Sequence, residues 1–211
     1  MQTKTFVFLF VFLIFPMVFK AQESFIKKFR QLSVAEKIWV IKHPFIAKKA
    51  SRITQNALSV SKNLKSEYEQ IDTDFIGGQA DAFKHCFWMA TLVQEIAPKK
   101  ALKLGKAHEK GNFRQYKNWK NKPEAMPDKP LSEMDFFNNN WGVCFGMNNK
   151  KLNQEEFKIH IIESLLNGEM KIIKKDNQGN CLDSFGNIID PELLKKWDNP
   201  KCLVPSNYQN N

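Results

Sequence analysis

Residues 80–96 read Ala80-Asp-Ala-Phe-Lys-His-Cys-Phe-Trp-Met-Ala-Thr-Leu-Val-Gln-Glu-Ile96, and the placement of the few ionisable groups in this run decides how the chain folds. The run predicts a helix, set off by the Gly77-Gly78 break before it and by Pro98 after it, a residue suited to the first turn of a following helix. At about 100° per residue, Asp81, His85, Trp88 and Leu92 share one stripe, while Phe83, Phe87, Ala90 and Val93 cover the opposite side. A helix that is apolar nearly all round is a buried helix, so the Asp81–His85 pair points inward or into a pocket. Buried ionisable groups are costly unless paired or employed. Two readings follow: a hydrogen bond that locks two helices together, or part of a site.

The flanking sequence supplies more helices. Ser33-Val-Ala-Glu36 is a capping box ahead of Ile38, Trp39 and Ile41, and that helix ends near His43-Pro44. Helical spacing then runs from about Phe45 to Tyr68 through Ala47, Ala50, Ile53, Ala57, Leu58 and Leu64. The polar stretch from Gly111 to Pro130, with Pro123 and Pro127, is expected as a long surface loop. Ser132 is expected to cap a helix reaching about Gly146, and another helix runs from about Asn153 to the Asn167-Gly168 stop. Beyond it, Met170–Lys174, Asn177-Gln-Gly-Asn180 and Phe185–Ile189 suggest a small β-hairpin or meander, followed by a short helix around Pro191–Trp197. No internal repeat or low-complexity segment stands out. The expected fold is mainly α: a single helical domain of about five or six helices over residues 22–168, with a small β-containing extension over 169–211.

Two further segments bear on the site. His108 falls on the stripe Ala101, Leu104, Gly105, His108, with Glu109 beside it. In Ser132-Glu-Met-Asp-Phe-Phe-Asn-Asn-Asn-Trp-Gly-Val-Cys-Phe-Gly146, one helix face carries Asp135, Asn138, Asn139, Gly142 and Gly146. Glycine inside a helix costs about 1 kcal/mol relative to alanine, so these two imply close approach of a backbone or a ligand. Ser132-x-x-Asp135 also fits a capping box, which would make Asp135 a cap rather than a reactive group. Imidazoles and carboxylates on three helices could bind a divalent metal ion, through His85, His108, Glu109 and Asp135. They could instead run metal-free acid–base chemistry with His85, His108 and Asp81 as the catalytic groups. Asn138, Asn139 and Lys84 are the candidates for positioning substrate. No His-Glu-x-x-His and no Gly-x-Ser-x-Gly occurs.

The chain opens on a basic start and an apolar run from Phe6 to Phe19, followed by Lys20-Ala21, which is the layout of an export signal cleaved beside Ala21. The run is shorter than the roughly 20 residues a spanning helix needs, so no anchor is expected after cleavage. The expected location is periplasmic or extracellular, which removes ATP-dependent chemistry. The formal charge of the full chain is +10. Scattered lysines favour an anionic lipid or a cell-wall component as partner and give no patch of the kind that binds nucleic acid. Four cysteines, Cys86, Cys144, Cys181 and Cys202, permit disulfides in an exported protein, with Cys181–Cys202 the preferred pair.

Asp81-Ala-Phe-Lys-His85-x-x-Trp88, then His108-Glu109, then Met134-Asp135-x-x-Asn138-Asn139-x-x-Gly142 resemble an uncharacterised family of bacterial domains, many of them exported. That family's signature is Asp-Ala-x-Arg-His-x-x-Trp, His-Glu and Met-Asp-x-x-Asn-Asn-x-x-Gly, and the likeness covers roughly residues 33–168. Lys84 stands where the pattern has arginine, which keeps the charge and loses the planar fork. A fainter resemblance is to the Arg-His-Asp helix of secreted phospholipases A2, with Cys86 where their aspartate follows the histidine. The resemblance implies a shared site without naming its chemistry. Two functions are therefore expected: an exported hydrolase-like enzyme, metal-assisted or not, acting on a phosphoester or lipid ester; or a non-catalytic helical domain whose Asp/His/Asn cluster is a buried hydrogen-bond network.

Overall fold

A computed structural model of the protein describes residues 26–118 and 127–209. The export signal expected over residues 1–21 and Pro123 of the expected loop lie outside the described residues. The elements run α1 (residues 26–31), α2 (Val34–Lys42), α3 (Pro44–Glu67), α4 (Gln79–Glu95), α5 (Pro98–Asn118), α6 (Lys129–Asn148), α7 (Gln154–Leu166), β1 (Lys171–Ile173), α8 (Pro191–Leu194) and β2 (Leu203–Pro205). The fold is mainly α, with six helices of nine residues or more among the described residues and a small antiparallel β pair near the C-terminus.

The quoted run forms α4, the buried axle of the molecule. It packs on α3, α5, α6, α7 and β1, and from Ala80 to Ala90 only Lys84 escapes full burial. Phe83 and Phe87 are wholly buried, each contributing about 1.5–3 kcal/mol relative to exposure. The start of α4 is held from outside the helix: Asp72 accepts from the amides of Gln79 and Ala80 at 2.9 and 3.3 Å. Asp81 reaches back to the amide of Gly77 at 2.9 Å, so a first-turn carboxylate sits where the helix dipole favours negative charge.

α6 lies against α4 at backbone distance. A Cβ on Gly142 would stand 2.3 Å from the Cys86 carbonyl oxygen, and one on Gly146 would stand 2.5 Å from that of Ala90. The close approach expected from these glycines is therefore between two helices.

Three sequence expectations need correction here. α6 starts at Lys129, because Asp128 accepts from the Leu131 amide and Pro130 occupies the first turn. Ser132 is thus inside the helix, and Asp135 is not a capping-box residue. α5 continues to Asn118, so the expected loop is helical over residues 111–118, and Pro130 belongs to α6. The Cys181–Cys202 disulfide is not formed: all four cysteines are free, Cys86 buried and Cys144 exposed. Cys202 instead enters a backbone ladder, its amide donating to Leu182 O at 3.2 Å and its carbonyl accepting from Lys174 at 2.8 Å.

The C-terminal extension is built on the helices. β1 pairs with β2, and the bridges Lys175–Cys181 and Leu182–Ile188 continue a meander. Its two bends share one construction that the sequence reading missed. Asp176-Asn-Gln-Gly-Asn180 and Asp183-Ser-Phe-Gly-Asn187 are a repeat seven residues apart. In each, the aspartate accepts from the backbone two and four residues on and from the side-chain amide of the asparagine. Gly179 and Gly186 take matching left-handed conformations, with φ 87° and 89°. Met170, Ile172 and Ile173 enter the main core, and the Ile173 amide donates to Gly77 O at 2.7 Å.

Candidate functional site

Asp81 and His85, one turn apart on α4, face Asp135 on α6. His85 Nε2 is 3.1 Å from Asp135 Oδ1 and 3.6 Å from Asp81 Oδ1, and one ligand atom from each of the three residues lies within 4.8 Å of the others. All three are buried. The other ring nitrogen, His85 Nδ1, meets Asn139 Oδ1 at 3.2 Å. An amide oxygen only accepts, so Nδ1 carries the proton and Nε2 presents its lone pair to the carboxylates. Burial, with Lys84 and His108 nearby, holds His85 well below the usual imidazole range, so the ring is neutral.

Three electron-rich atoms therefore converge, and of these Asp81 Oδ1 accepts from the Lys84 ammonium while Asp135 Oδ1 has no donor. The 3.1 Å separation is close, yet Asp135 Oδ1 is buried without a hydrogen-bond partner. Burial pushes Asp135 well above the usual carboxylate range, and the negative charges of Asp81 and Glu109 add to the push. Burial raises Glu109 as well, and its Oε1 is a second buried oxygen without a partner. Lys84 is the cation on hand, ion-paired to Asp81 through Nζ and 24% exposed. Such a centre is completed by a proton on Asp135 or by a bound cation. The Asn139–His85 contact fixes the tautomer of the ring, as an outer hydrogen bond would for a histidine that held a metal ion.

His108 stands beside this group rather than in it. Its ring is 6.3 Å from that of His85 and 6.0 Å from Trp88, centre to centre. Its Nδ1 meets Glu36 Oε1 at 3.0 Å. Burial works against the His108 charge, but the bond to Glu36 and the charges of Glu109 and Glu36 outweigh it and raise the imidazole above its usual value. Glu36 in turn is lowered: the bonds from His108 and Ser33 overcome its desolvation.

Of the expected metal set of His85, His108, Glu109 and Asp135, the structure brings His85 and Asp135 together and adds Asp81 beside them, while His108 is turned to Glu36 and Glu109 is bonded to Asn112 at 3.2 Å. Asn138, wholly buried, donates to Lys171 O at 2.9 Å and accepts from Lys171 N at 3.0 Å, so its side chain is engaged in anchoring β1. Asn139 positions His85. Glu36 is the site residue that sequence reasoning saw only as a cap.

A cavity of about 700 Å³ lies between α1, α2, α3, α4 and α5. Lys84, His85, His108 and Asn112 form polar parts of its lining, and Phe29, Leu32, Val40, Leu58, Trp88 and Leu104 are among its apolar walls. The polar centre therefore borders an apolar chamber through His85.

No curated protein and no solved structure matches the chain. Residues 37–169, from α2 to just past α7, match a family described as Domain of unknown function (DUF6973). That span holds Asp81, His85, His108 and Asp135 alike and well over half of the sequence, and the chain belongs to this DUF6973 family.

Proposed function

We propose that the protein is an exported hydrolase acting on a phosphoester or lipid ester, with Asp81, His85 and Asp135 holding a divalent metal ion. The observation that carries this reading is the convergence of His85 Nε2, Asp81 and Asp135 on one buried spot, with Asp135 Oδ1 left without a donor. One histidine and two carboxylates suit a hard or borderline cation. Such an ion, when bound, polarises an ester oxygen and lowers the pKa of a bound water. The chain's own groups do the rest. Asn139 keeps His85 in the tautomer that offers Nε2, and Lys84 supplies positive charge at the cavity wall. His108, its imidazole raised above the usual range and held by Glu36, is placed to hand a proton to a leaving group in the cavity. The apolar walls favour an acyl-bearing substrate.

The alternative, a closed hydrogen-bond network, is favoured by Asn138, whose side chain is fully used in holding Lys171. Against it stand the two buried oxygens of Glu109 and Asp135, since an unsatisfied buried group costs about 1–3 kcal/mol. Metal analysis and titration of the purified chain with Zn²⁺, Mn²⁺ and Ca²⁺ test the reading, alongside turnover of carboxyl and phosphate esters. Asp135→Asn and His85→Ala are expected to lose both the ion and turnover while staying folded. A wild-type chain that takes up no divalent ion, with ester turnover absent or unchanged in Asp135→Asn, sinks it.

A further inference from the structure

α2 is apolar on both sides. Trp39 is buried against the core and Ala35 and Val40 pack on it, as expected of a surface helix. The outer face, however, carries Val34, Ile38 and Ile41, spaced i, i+4 and i+7 and 50%, 48% and 67% exposed. The stripe continues across the His43-Pro44 elbow to Phe45, which is 98% exposed. Single exposed apolar residues are ordinary, but a surface helix normally turns its polar side outward.

The surroundings of this stripe are predominantly basic. Lys27, Lys28 and Arg30 precede it on α1, Lys42 closes α2, and Lys48, Lys49 and Arg52 follow on α3, all exposed. Lys49 pairs with Glu95 at 2.9 Å. Glu36 is the only acid of α2 and is turned to Ser33 and His108; no Asp or Glu follows it before Glu67. Aliphatic and aromatic side chains standing out of a field of lysines are the make-up of a helix that lies in a lipid interface. A second copy of the chain is a poor occupant, because a two-fold contact would set the same basic field against itself.

We propose that the α2–α3 elbow is a membrane-docking face that seats Val34, Ile38, Ile41 and Phe45 among the headgroups of a bilayer carrying anionic lipid. Val34 also lines the cavity, so docking brings the chamber to the lipid surface. The proposal stands whether or not the Asp81–His85–Asp135 centre is catalytic.

Co-sedimentation of the full chain with vesicles of phosphatidylcholine, alone or mixed with phosphatidylglycerol, tests it. Binding to the mixed vesicles is expected, weakened by salt and feeble on phosphatidylcholine alone. The combined change Ile38→Ser, Ile41→Ser, Phe45→Ser is expected to lower affinity roughly tenfold or more, and Lys42→Glu with Lys48→Glu to do likewise. The circular dichroism of both variants should match wild type, since the altered residues are exposed. Turnover of a soluble short-chain ester in the apolar variant reads the catalytic proposal separately. Unchanged vesicle binding by both variants overturns the proposal, because the affinity then resides elsewhere, for instance in the apolar run at residues 6–19. So does an absence of vesicle binding, or self-association of the wild type that the apolar variant abolishes.

Discussion

Glu36 divides its carboxylate between two tasks: Oε2 accepts from the Ser33 amide at 2.8 Å to close the capping box, and Oε1 holds His108 on α5. The second task gives stability a pH dependence whose sign follows from the two shifts. His108 is raised above the ordinary value of about 6.5, so its contribution is full below that value and is lost as pH rises through the raised one. Glu36 is lowered, so its contribution is present above its ordinary value and lost as pH falls through the lowered one. Glu36→Gln keeps the capping geometry and removes the charge. Thermal unfolding of the two proteins across pH should show a stability gap that is widest between those limits and closes on the alkaline side as His108 deprotonates; a gap independent of pH contradicts the pairing. The capping task was legible in four consecutive residues. The bond to His108 spans 72 positions and leaves no local trace. Likewise the Asp81–His85 pair could be read from helical spacing, whereas the choice of Asp135 over Glu109 as its neighbour depends on how α6 rests on α4.

Between α4 and α6 the contact is set by Gly142 and Gly146, and its tightness makes a specific demand. Gly142→Ala would place a methyl group against the Cys86 carbonyl, a backbone atom that cannot swing aside. A loss of about 1–3 kcal/mol in urea unfolding is expected, larger than helix propensity alone would restore. No loss would mean that the helices can part. Asn138→Ala strips both partners from the Lys171 backbone and is expected to cost a similar 1–3 kcal/mol while leaving divalent-ion binding intact; loss of the ion in a folded variant would return Asn138 to the site. Helix starts with a local signature, Ser33 and Asn153 with their capping boxes, were readable. The start of α6 was not, because Ser132-x-x-Asp135 imitates a cap while Asp128, four residues earlier, performs it. β2 escaped notice for another reason: three residues, one of them a proline, owe their strand conformation to β1.

At the level of the whole molecule, the sequence suggested a helical body with an appended tail, and the packing joins the two. Ser206 donates to Leu165 O at 2.6 Å, its carbonyl accepts from Gln79, and Asp128 gathers Asn199 and Lys201 at the head of α6. Hydrogen exchange under rising urea is therefore expected to deprotect α4 and the β1–β2 pair together; early loss of the β pair alone would mark the tail as a separate unit. The divided construction of the cavity has its own consequence. Its polar corner is formed by α4 and α5, and α4 is itself braced by α6 at glycine contact, whereas α1, α2 and α3 supply most of its apolar wall and reach His108 through Glu36. One corner is braced by backbone contact, and the opposite wall is tied to it by side chains. Under the proposed reading, such a chamber would be exacting about the radius of the ion it grips and tolerant of the length of the tail that fills it, so selectivity among cations and permissiveness among chain lengths would come from the same fold.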